Sequence, residues 1–365
     1  VIMQKVFFII PTLTQGGAER VIVTLLKFLD KSKFKATIMV VNMNEEVYSE
    51  EIPKEVDIID LQCKRVRTAM PKIIFNLWRY KPDIVMSTLG HLNIAIAMTR
   101  IFMPFGIKFI ARETIVVSEK LSRGKFQKFW KLLHQIFYPT FDKIICQSED
   151  MLRDISDILG SNKNLVLINN PVDCLRIKNL ARLYDHSVEK YYSDKSYINL
   201  IAAGRLINQK GFEMLIEAIA LSDIPRIRLA ILGHGPLEIK LIKLIEHYKL
   251  QGQVNLLGYQ KNPYIWISRA DAFVLSSYYE GFPNVVLEAL SCSTPVISTP
   301  APGGAKEILE SIDGCYLSNE ISATSIMKAI SDFTQSKRRR ITDNAVEPYK
   351  PEKICKEYMD VFLNE

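Results

Sequence analysis

The stretch INLIAAGRLINQKGF, residues 198–212, decides the fold of this chain. Its first six residues are mostly apolar, a polar loop with two glycines follows, and an apolar pattern with helical spacing begins at Phe212. Nearly continuous apolar runs are typical of strands covered on both faces, which occur in parallel sheets whose strands are joined by helices. The stretch therefore predicts one strand–loop–helix unit of a parallel α/β sheet.

The same unit recurs through the 365 residues. A first series of strands is predicted at 5–10, 36–41, 57–61, 84–88, 108–111, 143–147 and 165–168, and a second at 198–203, 228–232, 254–257, 272–275, 296–298 and 314–317. Helical patterns fill the gaps, for example at 19–29, 212–220, 237–248 and 284–290. This alternation specifies right-handed crossovers, so the predicted fold class is α/β with two doubly wound parallel-sheet domains.

The domain boundaries are predicted from the gap between the two series. Residues 172–197 are rich in Asp, Lys and Tyr and have weak periodicity, which indicates a connection plus an edge segment. We therefore predict a first domain at 1–171, a second domain at 172–346 and a helix at 347–365 that packs back on the first domain. Two such sheets facing across a cleft would place their carboxyl-edge loops around one ligand.

Composition excludes several classes of protein. With 48% hydrophobic residues, 16 Gly and 16 Pro, the chain is neither disordered nor collagenous. No apolar run approaches the roughly 18 residues of a membrane span, and no secretory leader is predicted. The six cysteines form no CxxC pair, which disfavours both a zinc ribbon and a disulfide scaffold and favours a reducing, cytoplasmic compartment.

The excess positive charge lies entirely in the first half of the sequence. Residues 1–170 hold 24 Lys and Arg against 17 Asp and Glu, a difference of +7, whereas residues 171–365 hold 23 of each. A uniformly basic nucleic-acid-binding protein would not show this asymmetry, and no RNP, zinc-finger or helix-turn-helix signature accompanies the charge. Nucleic acid is therefore not an expected partner.

Two cations follow the first strand of the second series. Arg205 and Lys210 stand five residues apart on the predicted carboxyl-edge loop, beside Gly204. Cations flanked by glycines suit a diphosphate, although two solvated surface charges would give the same pattern. Another glycine turn, which begins with Gly233, follows the next strand and lies at the same edge.

A second cluster begins with Glu280, just before a predicted helix. The segment contains Gly281, Phe282, Pro283, Asn284 and Glu288, with Asn284 as the expected helix cap. Carboxylates at these two positions suit sugar hydroxyls and a ribose diol, and a helix start favours a phosphate. A chance pair of glutamates is common, so the intervening Gly-Phe-Pro-Asn makes the pattern specific.

The first half offers weaker candidates. Gly16 and Gly17 follow the first strand and open a helix, which suits the close approach of an anion, but they do not form the G-x-G-x-x-G dinucleotide fingerprint. His91 follows another strand, where a helix-capping histidine is equally consistent. Arg112 and Glu113 would either meet a ligand or form a structural ion pair.

These motifs stand in the order and spacing of a known family. Gly16-Gly17-Ala18-Glu19-Arg20, Gly204-Arg205 with Lys210-Gly211, and Glu280 through Glu288 resemble the retaining GT-B glycosyltransferases of family 4, over nearly the whole chain. The resemblance is closest to bacterial enzymes that extend lipid-linked surface glycans, and it implies the GT-B fold with two Rossmann-like domains. It also implies a nucleotide-sugar donor bound mainly by the second, nucleotide-sugar-binding domain, a glycan or lipid-diphosphate acceptor bound mainly by the first, acceptor-binding domain, and retention of configuration with no cofactor and no metal. UDP is the favoured nucleotide, with GDP next. No D-x-D triplet occurs in the sequence.

The resemblance also implies roles for single residues. Arg205 and Lys210 would stabilise the departing diphosphate, and Glu280 and His91 would contact the donor sugar. Glu288 would hold the ribose. The remaining donor-binding positions would be Gly16, Gly17, Gly204, Gly233, Gly281, Phe282, Pro283 and Asn284. The alternatives are a catalytically silent nucleotide-sugar-binding protein and a nucleotide-sugar epimerase on the same fold.

A basic aromatic segment at 120–133 suggests a membrane partner. It interleaves Lys125, Lys128 and Lys131 with Phe126, Phe129, Trp130 and Leu133 at helical spacing. Such a helix can lie in an anionic membrane surface, which predicts peripheral attachment to the inner face of the cell membrane. The alternative is that the aromatic side chains are core and the cations a solvated face.

Overall fold

The computed structural model describes residues 3–14, 16–43, 51–124, 126–336 and 340–363. The chain divides into two compact units, one formed by Val1–Val172 with Tyr349–Glu365 and the other by Asp173–Pro348. Each unit is built on its own parallel sheet. In the described ranges, no helix is both long enough and apolar enough to cross a membrane.

The sheet of the first unit has seven parallel strands in the order β3-β2-β1-β4-β5-β6-β7. Its strands are β1 (Gln4–Ile10), β2 (Phe34–Val40), β3 (Asp57–Asp60), β4 (Ile84–Thr88), β5 (Lys108–Arg112), β6 (Lys143–Cys146) and β7 (Leu165–Leu167). The chain moves outward in one direction from β1 to β3 and in the other from β4 to β7. This reversal is the doubly wound topology that the alternating sequence predicts.

Helices cover both faces of this first sheet. They are α1 (Gly17–Phe28), α2 (Val66–Tyr80), α3 (Gly90–Thr99), α4 (Val117–Ser122), α5 (Gln127–Phe137), α6 (Glu149–Leu159) and α15 (Pro351–Leu363). Apolar residues of α2, α3, α5 and α6 pack on one face. Those of α1 and α15 pack on the other, where the Phe362 ring meets Phe8 and Phe34 edge-on.

The sheet of the second unit has six parallel strands in the order β10-β9-β8-β11-β12-β13. Its strands are β8 (Ile198–Ala203), β9 (Ile227–Leu232), β10 (Val254–Leu256), β11 (Ala272–Leu275), β12 (Val296–Ser298) and β13 (Tyr316–Leu317). Its helices are α7 (Cys174–Ala181), α8 (His186–Tyr191), α9 (Phe212–Ala220), α10 (Glu238–His247), α11 (Pro263–Arg269), α12 (Asn284–Ser291), α13 (Ala305–Leu309) and α14 (Ala323–Gln335). The strand order reverses between β8 and β11, so loops at the carboxyl edge diverge there and leave room for a ligand.

The structure confirms the predicted fold class, and each predicted strand appears within two residues of its expected bounds. The segment 172–197, interpreted from the sequence as a connection plus an edge segment, contains the helices α7 and α8. Two short polar side chains start these helices. Asp173 accepts a hydrogen bond from the Arg176 amide, and Asp185 accepts from the amides of Ser187 and Val188.

The alternative that the aromatic side chains of 120–133 are core was wrong. Phe129 and Trp130 are exposed on α5, and in that helix only His134 is buried. Phe126 precedes the helix and is 77% exposed. Leu133 is half-buried against the core, and Lys125 lies outside the described residues.

Candidate active site

Lys210 and Glu280 form an ion pair at the carboxyl edge of the second sheet. The Nζ of Lys210 lies 2.6 Å from Oε1 of Glu280, and the Ser277 hydroxyl donates to the same oxygen at 2.5 Å. Lys210 ends a 3₁₀ turn that follows β8, whereas Ser277 and Glu280 follow β11. Because β8 and β11 are neighbours in the sheet, their loops meet at the point where the strand order reverses.

The turn that carries Lys210 depends on a glycine. Gly211 has a φ of +62°, and a Cβ there would lie 2.1 Å from the carbonyl oxygen of Ser276. The Ser276 hydroxyl in turn donates to the carbonyl of Lys210 at 2.8 Å. These contacts hold the backbone beside Lys210 against the end of β11 and fix where its ammonium can reach.

Arg205 lies on the same edge but is placed differently. Its side chain is exposed, and among the described residues it has no hydrogen bond or ion pair. Gly233 lets the two loops approach, because a Cβ there, where φ is +133°, would lie 1.9 Å from the Gly204 carbonyl oxygen. The edge therefore presents one cation that is already paired and one that is free to meet an anion.

The loop that carries Glu280 is held by the loop that follows β12. The Glu280 amide donates to the Pro302 carbonyl at 2.8 Å, and the Gly304 amide donates to the Gly281 carbonyl at 3.0 Å. The Phe282 ring is buried over Gly304, where a Cβ would lie 2.3 Å from a ring carbon. Packing and backbone hydrogen bonds thus fix the loop without help from a ligand.

Helix α12 starts directly after this loop. The structure corrects the expected cap, because Pro283 occupies the N-cap position and Asn284 is the first helical residue. Glu288 lies one turn further along and accepts a hydrogen bond from the Tyr264 hydroxyl at 3.3 Å. The two glutamates of the motif therefore have separate supports, one on the loop and one on the helix.

The Gly16–Gly17 pair of the first unit lies next to the Glu19 carboxylate. Gly16 is the N-cap of α1, Gly17 is its first residue, and a Cβ on Gly16 would lie 1.8 Å from Oε2 of Glu19. The Thr12 hydroxyl donates to Oε1 of Glu19 at 3.4 Å. In this conformation the Glu19 carboxylate occupies the place at the helix start that an anionic ligand would otherwise take.

His91 is the second residue of α3 and stands exposed after β4. Partial desolvation lowers the pKa of its imidazole, and the positive charge of Lys120 lowers it further. A neutral imidazole at this edge can donate one hydrogen bond and accept another.

Arg112 and Glu113 do not pair, which corrects one of the two expectations for them. The buried Arg112 guanidinium donates to the Tyr358 hydroxyl at 3.0 Å, to the Thr88 hydroxyl and to Oδ1 of Asn170. Neither residue reaches a surface where a ligand could touch it, since Arg112 is 0% and Glu113 1% exposed. Arg112 therefore ties α15 to the end of the sheet.

Glu113 belongs to a second buried cluster. Its Oε1 accepts from the Tyr138 hydroxyl and from Nδ2 of Asn93 at 3.2 Å, while Asn93 also accepts from the Ser87 hydroxyl. Burial raises the pKa of the Tyr138 phenol well above its usual value, and the Glu113 charge raises it further. The cluster supports the start of α3 from beneath.

Sequence reasoning missed two features of the second unit. Ser277 was not recognised as a partner of Glu280, although its place two residues after β11 is a usable signal. The His234 and Tyr259 rings meet edge-on, 6.0 Å apart, where the Gly233 amide donates to the Gly258 carbonyl. Both rings are exposed at the carboxyl edge, so they offer an aromatic surface there.

Family profiles match nearly the whole chain. The profile for glycosyltransferase family 4 matches residues 15–176, and that for glycosyl transferases group 1 matches residues 185–347. A Campylobacter jejuni relative is 30% identical over 319 residues, which cover 84% of this chain and 83% of the relative. The chain therefore belongs to the GT-B glycosyltransferases of family 4. The resemblance seen in the sequence is thereby confirmed.

That C. jejuni relative is named as a GalNAc-transferring 4-alpha-N-acetylgalactosaminyltransferase acting on a diphospho-undecaprenol-linked sugar. The glycosyltransferase is also 36% identical over 247 residues to an uncharacterized glycosyltransferase of Methanocaldococcus jannaschii, of whose length this match spans 60%. Its fold is similar to the crystal structure of Anabaena HepE in complex with UDP and glucose. The TM-score is 0.80 at 17% identity, with 99% of this chain and 100% of HepE covered.

Proposed function

We propose that the protein is a retaining glycosyltransferase that moves a sugar from a UDP-sugar to a lipid-linked or glycan acceptor in surface-polysaccharide assembly. The observation that carries the proposal is the Lys210–Glu280 pair beside the unpaired Arg205, at the edge where the second sheet reverses its strand order. Two cations and a carboxylate there match the charges of a sugar diphosphate.

The two cations supply the main catalytic effect. When the bond between the anomeric carbon and the diphosphate oxygen breaks, its electron pair leaves with the diphosphate and the sugar becomes oxocarbenium-like. Arg205 and Lys210 stabilise the charge that develops on the diphosphate, and Lys210 does so from a position that Glu280 fixes before the reaction. The mechanism needs no resident cofactor or metal, because these side chains hold the leaving group.

Retention follows from where the acceptor attacks. The acceptor hydroxyl approaches the face that the leaving group departs from, and a diphosphate oxygen takes its proton. The scheme of two flanking carboxylates used by most glycoside hydrolases is then unnecessary. Glu280 binds the donor sugar, supported by Ser277, and Glu288 holds the ribose on α12.

The second unit also offers groups that can bind the other parts of the donor. Gly204, Gly233, Gly281, Phe282, Pro283 and Asn284 form the backbone around the diphosphate and sugar. The His234 and Tyr259 rings offer a surface for the base. Uracil is favoured because the similar fold of HepE was solved with UDP. The family resemblance also assigns Gly16 and Gly17 of the first unit to the donor phosphate, and His91 to the donor sugar.

The acceptor assignment comes from the relatives. The C. jejuni enzyme is named for a diphospho-undecaprenol acceptor, and a second C. jejuni relative, 28% identical over 335 residues, is named for a PP-undecaprenol acceptor. A polyprenyl diphosphate stays in the membrane, so we propose that the protein works at the membrane surface, on the inner face of the cell membrane.

Ligand binding and product analysis test the proposal. A ligand that binds only the folded state raises the melting temperature, so UDP should stabilise the protein more than GDP does. With a UDP-sugar and a polyprenyl-diphosphate-linked sugar, the product should keep the anomeric configuration of the donor. Stabilisation by UDP without turnover would favour a silent binding protein, and conversion of the donor without acceptor would favour an epimerase.

A further inference from the structure

Exposed large apolar side chains are concentrated in one segment of the first unit. Of the 22 found among the described residues, 12 lie between Phe75 and Ile136. Single exposed apolar residues are normal, but a concentrated set marks a surface that meets something else.

Three neighbouring elements carry these side chains. Phe75 and Trp78 project from α2, Ile101 and Phe102 lie on the 3₁₀ turn that follows α3, and Phe105 stands in the next loop at 98% exposure. The Trp78 indole donates to the Phe102 carbonyl at 2.9 Å, which joins α2 to the turn. The residues Ile101, Phe102 and Phe105 are here called the apolar wedge.

Helix α5 continues the same surface. It packs against α3, which also packs against α2, so the three helices form one layer on one face of the sheet. Phe129, Trp130, Leu132 and Ile136 are exposed on α5. A single helix layer thus presents apolar side chains on α2, on α5 and on the turn after α3.

The charges of this layer have one sign. Residues 61–141 contain 14 Lys and Arg but only 3 Asp and Glu, and α2, α3, the 100–107 segment and α5 contain no acid. Exposed cations such as Lys72, Arg79, Lys128 and Lys131 lie among the apolar side chains. Long cationic side chains can keep their charge at the lipid headgroups while their stems and neighbouring apolar groups lie deeper.

We propose that the α2–α3–α5 layer inserts into the surface of an anionic lipid bilayer, with the apolar wedge and the exposed aromatic residues of α5 below the headgroups. The helices then lie parallel to the membrane. The inference deepens the proposed function and rests on it in one respect, since a lipid-linked acceptor explains why the enzyme needs this surface.

A second copy of this chain fits this surface less well than an anionic bilayer does. In a two-fold symmetric contact through this layer, the same surface faces itself, so cations would face cations with no acid from either copy. An anionic bilayer supplies both the apolar interior and the opposite charge. The layer has the composition of a helix that lies in a membrane interface, with cations beside aromatic and aliphatic residues.

Vesicle binding by the full chain tests this proposal. The wedge variant is Ile101→Ser, Phe102→Ser and Phe105→Ser, and the cation variant is Lys128→Gln and Lys131→Gln. The control variant is Leu175→Ser, Tyr184→Ser and Ile239→Ser, which removes three large side chains of comparable exposure from the second unit. Vesicles of phosphatidylcholine with and without about one third phosphatidylglycerol are compared at low salt and at about 0.5 M salt.

The expected results separate the two contributions. The wedge variant should bind on the order of a hundredfold more weakly at both salt concentrations, because apolar insertion is not screened. The cation variant should bind roughly thirtyfold more weakly at low salt and match the wild type at high salt. The control variant should bind as the wild type does.

Two results would overturn the proposal. One is vesicle binding by the wedge variant equal to that of the control. The other is that the wild type forms a dimer in solution which the wedge substitutions dissociate, while the wild type does not bind vesicles. Stabilisation by UDP is measured on the same proteins and must persist in the wedge variant, so a failure of membrane insertion stays distinguishable from a failure of the proposed activity.

Discussion

The ammonium of Lys210 and the carboxylate of Glu280 lie 2.6 Å apart, although 70 residues separate them in the sequence. Their side chains are 19% and 8% exposed, and Ser277 donates to the same carboxylate oxygen. The pair is thus formed before a donor arrives, and each partner fixes the rotamer of the other. Preorganisation of this kind makes charge stabilisation effective, because little reorganisation is needed during the reaction.

Variants of the Lys210–Glu280 pair should show that its contribution to turnover is distinct from its contribution to stability. Lys210→Met should lower kcat about 10²- to 10³-fold, because the diphosphate loses a cation in the transition state. It should also lower the free energy of unfolding by about 2 kcal/mol, since Glu280 is left buried without its counter-charge. The double variant Lys210→Met with Glu280→Gln should regain part of that stability in urea titrations but none of the turnover. Recovery of turnover in the double variant would contradict the assigned role.

Arg205 provides the matched contrast because its side chain is exposed and unpaired. Arg205→Gln should lower kcat about 10²-fold or more while it changes the free energy of unfolding by less than about 0.5 kcal/mol. Arg205→Lys should restore part of the rate, since the charge returns without the two-pronged geometry of a guanidinium. Steady-state kinetics and urea titration of the two variants measure both effects. Wild-type kinetics for Arg205→Gln would remove Arg205 from the site.

The fold was predictable because parallel strands that are covered on both faces appear in the sequence as continuous apolar runs. Residues 198–203 and 272–275 were predicted with their observed bounds for this reason. Helices α7 and α8 were missed because the apolar residues of such short helices give little periodicity, and the aspartate caps were overlooked. The Lys210–Glu280 contact could be expected only as a shared sheet edge, because pairing across 70 residues depends on side-chain rotamers.

The exposed surface of α5 shows a different limit of sequence reasoning. An amphipathic pattern gives the period of the helix but not which face meets the core, so Phe129 and Trp130 could be assigned to either side. The structure decides this, since these rings are exposed while His134 is buried. The Arg112–Glu113 pair failed as a prediction because consecutive residues at the end of a strand point to opposite sides of the sheet.

The loop that presents Glu280 should be sensitive to a single methyl group. Gly304→Ala places a Cβ 2.3 Å from the buried Phe282 ring, so the ring or the loop must move. We expect a loss of about 1–3 kcal/mol in the free energy of unfolding, together with a fall in kcat from the displaced carboxylate. Gly252→Ala is the control, because its Cβ would meet nothing within 4 Å. Equal melting temperatures and kinetics for the two variants would show that the loop is not held by this contact.

His91 should make the free energy of unfolding depend on pH in a known direction. The pKa of His91 is lowered by partial desolvation and by Lys120, so the folded state binds a proton less readily than the unfolded chain does. Stability from this residue is therefore present above its unfolded pKa of about 6.5 and lost as pH falls below that value. Urea titrations of His91→Gln should show a shallower loss of stability in this window than the wild type. Lys120→Gln should move the His91 titration upward in NMR spectra, and an unchanged titration would exclude the influence of Lys120.

The contact between Arg112 and Tyr358 should anchor α15 to the sheet of the first unit. The Tyr358 hydroxyl accepts from the guanidinium at 3.0 Å, and both side chains are fully buried. Tyr358→Phe keeps the ring packing but leaves a buried charged donor without one acceptor, which should cost about 1–3 kcal/mol of unfolding free energy. Tyr80→Phe, at an exposed tyrosine of the same unit, should cost less than about 0.5 kcal/mol. Hydrogen exchange should then accelerate in α15 before it does so in β1 or β4, whose amides are central in the sheet. If exchange rises equally in α15 and in those strands, the hydroxyl contributes to the whole unit and the anchoring role is wrong.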